Sequence, residues 1–196
     1  MSEIKSAFEI AMERINKMGE ATEEDKLKWK YEPVGQQLAM KFVKGEADLS
    51  EELESVDPKG LVYVRKAIQE VLGGLVVLPV KDVVPKQLDK ALEGLVIIKE
   101  DKATANQIAS QIRQLMEQYV TNGAAQRKQA SEMLKQTFAQ KLRSAASQMS
   151  KSIDADSLDV EALPQYREQL AELNGKISEQ YQMYLTDFKN QLFALE

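Results

Sequence analysis

Apolar side chains recur three and four positions apart along most of this chain, the spacing that places them on one face of an α-helix. Near the start, Ile4, Ala7, Phe8, Ala11, Ile15 and Met18 predict a helix over Glu3–Met18 that Gly19 stops. Thr22-Glu23-Glu24-Asp25 reads as a capping box with Asp in place of the usual Glu, opening a helical stretch through Leu27 and Tyr31. Pro33 is expected to break or kink it, because proline lacks the N–H that a helix interior uses. Leu38 and Phe42 follow one turn apart, and Ser50 before Glu51 and Glu52 reads as the cap of a short piece carrying Leu53 and Val56. The pattern predicts small helical units here, not one rod.

Asp57-Pro58 marks a helix start, with a side-chain acceptor at the cap and a proline at the first helical position. Leu61, Val64, Ile68 and Leu72 follow, and Gly73-Gly74 is expected to end the helix. Leu75-Val76-Val77-Leu78 before Pro79 then reads as an extended buried segment, since a lone strand would have no partner. Pro85 opens a further helix with Leu88, Leu92, Leu95 and Ile98 facing inward. Residues 1–100 are thus expected to form a compact helical unit with one extended apolar segment near 75–78.

From Lys102 the texture changes to strong helix formers, with no proline until Pro164. Ile108, Ile112, Leu115 and Tyr119 take the four-three-four spacing of a coiled-coil seam, but the next seam positions are Asn122, Gln126 and Gln129. The stripe resumes one step out of register at Leu134, Phe138, Leu142, Ala145 and Met149. Either a weak point within one helix or a break into two near Asn122-Gly123 would account for that step. Asp154–Leu163 reads as a turn. After Pro164, Tyr166, Leu170, Leu173, Ile177, Tyr181, Tyr184, Phe188, Leu192 and Leu195 form the longest stripe of the chain. At about 1.5 Å per residue the two segments would reach roughly 70 Å and 45 Å. The predicted fold class is mainly α: an N-terminal multi-helix unit followed by a long antiparallel, coiled-coil-like hairpin over 101–196.

Charge divides along the same hairpin. Residues 102–151 hold eight basic against two acidic side chains, a net of +6, whereas 152–196 hold three against nine, a net of -6. The first expectation is that the two helices pair with each other, each exposed ion pair adding little but the pattern selecting partner and orientation. The other reading uses Arg127, Lys128, Lys135, Lys141 and Arg143 as a basic surface for an acidic partner or a phosphate backbone. Nucleic acid is not the expected partner: no aromatic side chains interleave for base stacking, and glutamines fill many of the remaining polar positions.

The 196 residues contain neither histidine nor cysteine. Ser-His-Asp and Cys-His catalysis, cysteine-based zinc sites and iron–sulfur centres all lack their ligands or nucleophiles. No glycine spacing matches a phosphate-binding loop. Asp154-Ala155-Asp156 begins like a calcium loop, but Leu158, Asp159 and Gln165 replace the third ligand, the turn glycine and the closing Glu. Ser2-x-x-Lys5 has no companion motif and reads as chance spacing. With 43% hydrophobic and 29% charged residues and a net charge of -5, the chain has the composition of a folded protein. No apolar run approaches the length of a spanning helix, and the charged opening lacks a signal-like region, so a cytoplasmic protein without membrane insertion is expected. No catalytic residue, metal ligand or cofactor is expected.

Trp29 is expected to cap a small core. Tyr181, Tyr184, Phe188 and Leu192 would form an apolar strip in need of a second molecule if the hairpin lacked partners within the chain, which argues for a homodimer. The opening Glu3-Ile4-Lys5-Ser6-Ala7-Phe8-Glu9-Ile10-Ala11-Met12-Glu13, with Lys28-Trp29-Lys30-Tyr31, resembles a group of bacterial helical proteins of unassigned function. That resemblance implies a bacterial setting and no particular activity. The function expected is that of a non-enzymatic structural or adaptor protein, mediating protein–protein interaction or self-association through its hairpin. The alternatives are a nucleic-acid-associated or stalk-like subunit using helix 102–151, and a magnesium- or manganese-dependent enzyme using carboxylates only.

Overall fold

The computed structural model describes residues 22–80, 82–148 and 159–195, and every regular element among them is helical. The helix expected over Glu3–Met18, and residues 154–158 of the expected turn with the calcium-like run, lie outside the described residues. Contacts divide the chain into Met1–Leu72 and Gly73–Glu196.

In the first unit, α1 (Glu23–Lys44) begins at the capping box. The Asp25 amide donates to Thr22 Oγ1 at 3.1 Å, and the Thr22 amide donates back to Asp25 Oδ2 at 3.0 Å. Pro33 neither breaks the helix nor ends it: α1 continues to Lys44 through Leu38 and Phe42, so the expected small pieces are one helix of 22 residues. Pro33 and Trp29 both lie on the exposed face. The Trp29 carbonyl that loses its N–H partner therefore turns to the wet side of the helix, where water can satisfy it. Gly45, at φ 76°, ends α1 in a left-handed cap, with its own amide on Phe42 O and that of Glu46 on Lys41 O. The next helix, α2 (Leu49–Glu54), is capped by Asp48 and not by Ser50. Asp48 Oδ1 accepts from the amides of Ser50 and Glu51 at 2.8 and 3.3 Å.

Helix α3 (Pro58–Leu75) starts at the predicted proline, with Asp57 Oδ1 accepting from the Lys59 amide at 2.9 Å. It passes through Gly73-Gly74 and ends at Leu75, so the unit boundary falls within it. Glycine sets how closely α1 and α3 approach: a Cβ on Gly35 would stand 2.5 Å from Val64 O and 2.8 Å from Ala67 Cβ. One on Gly60 would stand 2.5 Å from the Tyr31 ring, whose hydroxyl donates to Asp57 Oδ2 at 3.3 Å. Tyr31, Leu38, Phe42, Leu49 and Val64 are buried in this unit.

In the second unit the expected extended segment is an irregular connector, with Val76 and Pro79 buried and Val77 exposed. Helix α4 (Gln87–Ile97) buries Leu88, Ala91, Leu92 and Leu95 and packs against α5 (Lys102–Gln118). Asp101 caps α5, accepting from the Thr104 amide at 3.0 Å. A π-helical turn, Tyr119–Gly123, then joins α5 to α6 (Ala124–Gln148) with no break in the rod. Asn122-Gly123 is therefore a weak point within one helix and not a break into two, and the turn widens the helix by one residue and carries the stripe across the out-of-register step. A 3₁₀ turn at Val160–Ala162 leads into α7 (Pro164–Ala194), with Pro164 at its first turn. α7 returns antiparallel: Ser178 lies level with Tyr119, and Tyr166 with Ser131.

Two identical substitutions should have opposite effects. Gly35→Ala sets a methyl against backbone atoms of α3 and is expected to cost about 1–3 kcal/mol as overpacking. Gly175→Ala meets no atom within 4 Å and should gain about 0.5–1 kcal/mol from helix propensity. Thermal melts followed by circular dichroism separate the two; a stabilised Gly35→Ala would refute the close crossing.

Candidate functional site

Most of the nominated seam is used within the chain. Ile108, Ile112, Leu115 and Tyr119 are buried, as are Phe138 and Leu192, while Leu134, Leu142, Leu170, Leu173, Ile177, Tyr181 and Phe188 are half-buried. Phe138, Val160 and Tyr166 form a small core at the far end of the hairpin, with Leu134, Leu142 and Leu170 packed around it. Tyr184 is the seam residue that faces outward, 59% exposed. Leu185, Met116 and Ala109 are fully buried yet were not nominated. A stripe read at strict seam spacing misses the second buried column beside it. Trp29 caps no core and is 65% exposed.

At the π turn, side chains from three elements meet. The Tyr119 ring stands edge-on to Tyr181 at 5.1 Å, and its hydroxyl shares a 3.1 Å hydrogen bond with Ser178 Oγ. The Arg127 guanidinium stacks over Tyr119, 4.6 Å from the ring centroid, and pairs through Nη2 with Asp82 of the connector. Its Nη1 is buried without an acceptor among the described residues and lies 3.2 Å from where a Cβ on Gly123 would be. Glycine is the residue that leaves room for this stack.

Two lysines close helix ends. Lys99, only 6% exposed, donates from Nζ to Phe193 O at 3.3 Å and Leu195 O at 2.5 Å, supplying a cation to the last carbonyls of α7. Lys189 donates to Gly73 O at 2.7 Å and Val76 O at 3.2 Å at the end of α3, and burial holds its ammonium below the ordinary lysine range. A Cβ on Gly73 would collide with the Phe193 ring. These roles were missed; the available signal was a lysine placed directly after an apolar run, as Lys99 follows Leu95–Ile98.

The basic candidates do not gather. Arg127 turns to Asp82, Lys135 pairs with Glu161 at 2.7 Å, and Lys141 lies over the Phe138 ring at 5.4 Å. Lys128 and Arg143 are exposed elsewhere on α6. Arg113 pairs with Asp89 of α4 at 2.7 Å, so the basic helix sends charge to α4 and the connector as well as to the 3₁₀ turn before α7. Among the described residues no three acidic side chains gather where they could hold a metal ion, and no described helix is long and apolar enough to cross a membrane.

What the hairpin presents outward is an uncharged groove of about 310 Å³ between α5 and α7, lined by Gln111, Gln114, Leu115, Gln118, Tyr184 and Phe188. It contains no acid, base or nucleophile suited to bond-breaking chemistry. The amides can donate and accept, and Tyr184 with Phe188 supplies apolar area. Glutamines at 107, 111, 114 and 118 repeat at four-three-four spacing, a signal legible in the sequence only when polar positions are tested for periodicity.

Residues 50–194 match a family of unknown function, DUF6657, and the chain belongs to it. No curated protein and no solved structure matches the chain.

The contacts at the π turn should rank by burial. Tyr119→Ala should cost about 3–5 kcal/mol, whereas Asp82→Ala, which removes the exposed partner of a guanidinium only 18% exposed, should cost about 1.5–3 kcal/mol and less at high salt; denaturation at two ionic strengths tests the order. Because burial lowers the Lys189 pKa below 10.5, the unfolded chain holds that proton more tightly than the folded one. The contribution of this group should therefore rise as pH climbs from the folded pKa toward 10.5, and Lys189→Met should remove that increment from melts across alkaline pH.

Proposed function

We propose that this member of the DUF6657 family is a non-enzymatic structural or adaptor protein whose helical hairpin mediates protein–protein interaction. The observation that carries the reading is the groove between α5 and α7. On a chain with 29% charged residues, it offers glutamine amides, an exposed Tyr184 and a half-buried Phe188 with no charge among its lining residues. An aromatic side chain beside amides on a rigid helix pair is the composition of a protein-docking surface: the ring supplies buried area at little entropic cost, and the amides adapt their hydrogen bonds. A volume near the low end of ligand pockets, about 300–1,000 Å³, suits an inserted side chain better than a cofactor. Dispersal of the basic side chains into separate local contacts favours this reading over a nucleic-acid surface, which needs cations aligned along a backbone. The same reading sets the protein in the bacterial cytoplasm, on the resemblance of its opening residues and its cysteine-free composition.

A photo-crosslinking residue in place of Tyr184 should trap a defined protein in the native host, and the complex should re-form from purified components. That binding should survive high salt and fall at least tenfold with Tyr184→Asp. Binding that dissolves with salt and ignores Tyr184, or that requires DNA or RNA, would overturn the proposal.

A further inference from the structure

We infer that the occupant of the α5–α7 groove is the same groove of a second copy of this chain, the two α5 helices lying antiparallel about a two-fold axis near Gln114. This rests on the reading of the groove as a docking surface and names its partner. Gln107, Gln111, Gln114, Gln118 and Thr121 are all exposed and follow one another at four-three-four-three spacing. That is the seam a neighbouring helix would use, and among the described residues no side chain covers it. At 100° per residue, Lys102 and Arg113 of α5 project away from this face, and Glu117, the remaining charged side chain of α5, flanks its edge one turn before Thr121.

A two-fold axis lays every patch on itself, so a patch carrying net charge would face its own sign. For a chain with net charge -5, self-association is favoured where charge is low, and none of the five seam positions carries any. Its chemistry is also self-complementary: each glutamine amide both donates and accepts, so like can meet like with both partners satisfied. With the axis between Gln114 and Leu115, Gln111 of one copy faces the partner's Gln118. Each Tyr184 then stands over the opposite groove as the aromatic anchor.

The absence of cysteine makes the test direct, because a single introduced cysteine can form a disulfide only between copies. Sedimentation should give a dimer at micromolar concentration that persists in high salt, and Gln114→Cys should oxidise to a covalent dimer of twice the chain mass. Gln114→Lys and Gln114→Glu should each be monomeric with unchanged helicity, and an equimolar mixture should recover the dimer. A native chain that stays monomeric up to about 1 mM overturns the inference while leaving the docking reading to its own crosslinking test. So does a dimer that tolerates both charged variants and leaves Gln114→Cys reduced, since the interface then lies elsewhere.

Discussion

The second unit depends on one extra residue of backbone. A straight α-helix turns 100° per residue, so apolar side chains that slip one position leave the face they shared with their predecessors. Between Ile108–Tyr119 and Leu134–Leu142 the stripe slips by one, which in regular geometry would swing the distal side chains roughly 100° away from α7. The π turn at Tyr119–Gly123 absorbs the slip within one continuous rod. Proximal and distal stripes both reach α7, and Tyr119 on Tyr181 and Phe138 on Tyr166 make matching edge-on contacts at the two levels. Gly123 lets the widened turn hold Arg127 against Tyr119.

Burial, more than charge, joins the hairpin. The opposed net charges of its halves raise the expectation that the basic and acidic helices pair with each other, yet Arg113 and Arg127 are paired with Asp89 and Asp82 outside α7. Lys135 pairs with Glu161 in the 3₁₀ turn before it. Pairs with both side chains exposed, as Arg113–Asp89 and Lys135–Glu161 are, contribute about 0.2–1 kcal/mol each, against about 1.5–3 kcal/mol for burying one large apolar side chain.

Much of this was legible from residue order, and the gaps have physical causes. Thr22-Asp25, Asp57-Pro58 and Pro164 mark helix starts because capping is local chemistry within one turn. The mainly α class and the antiparallel hairpin followed from periodicity. Pro33 misled because its penalty depends on which face it occupies, a tertiary fact. Asp48 took the cap expected of Ser50 because two acceptors stood two residues apart and backbone direction decided between them. The register step near Asn122 was visible, but a widened turn, a bend and a break leave the same trace. Tyr184 was read as seam and proved to be surface. The groove beside it stayed hidden because it is built from polar residues on one helix and aromatic residues some 70 positions later.

The lysine caps tie distant parts of the chain together. Lys189 holds the carbonyls of Gly73 and Val76, and Lys99 holds those of Phe193 and Leu195, so the first residues of the second unit rest beside its last. Contacts across about a hundred positions form late and slowly, because the intervening chain must be ordered first. During synthesis, Gly73 and Lys99 wait through all of α5, α6 and α7 before their partners exist. The N-terminal unit has no such delay: Tyr31, Gly60 and Asp57 meet within a few tens of residues. Translation thus imposes an order of assembly, with the lysine caps closing only after residues 189–195 are made.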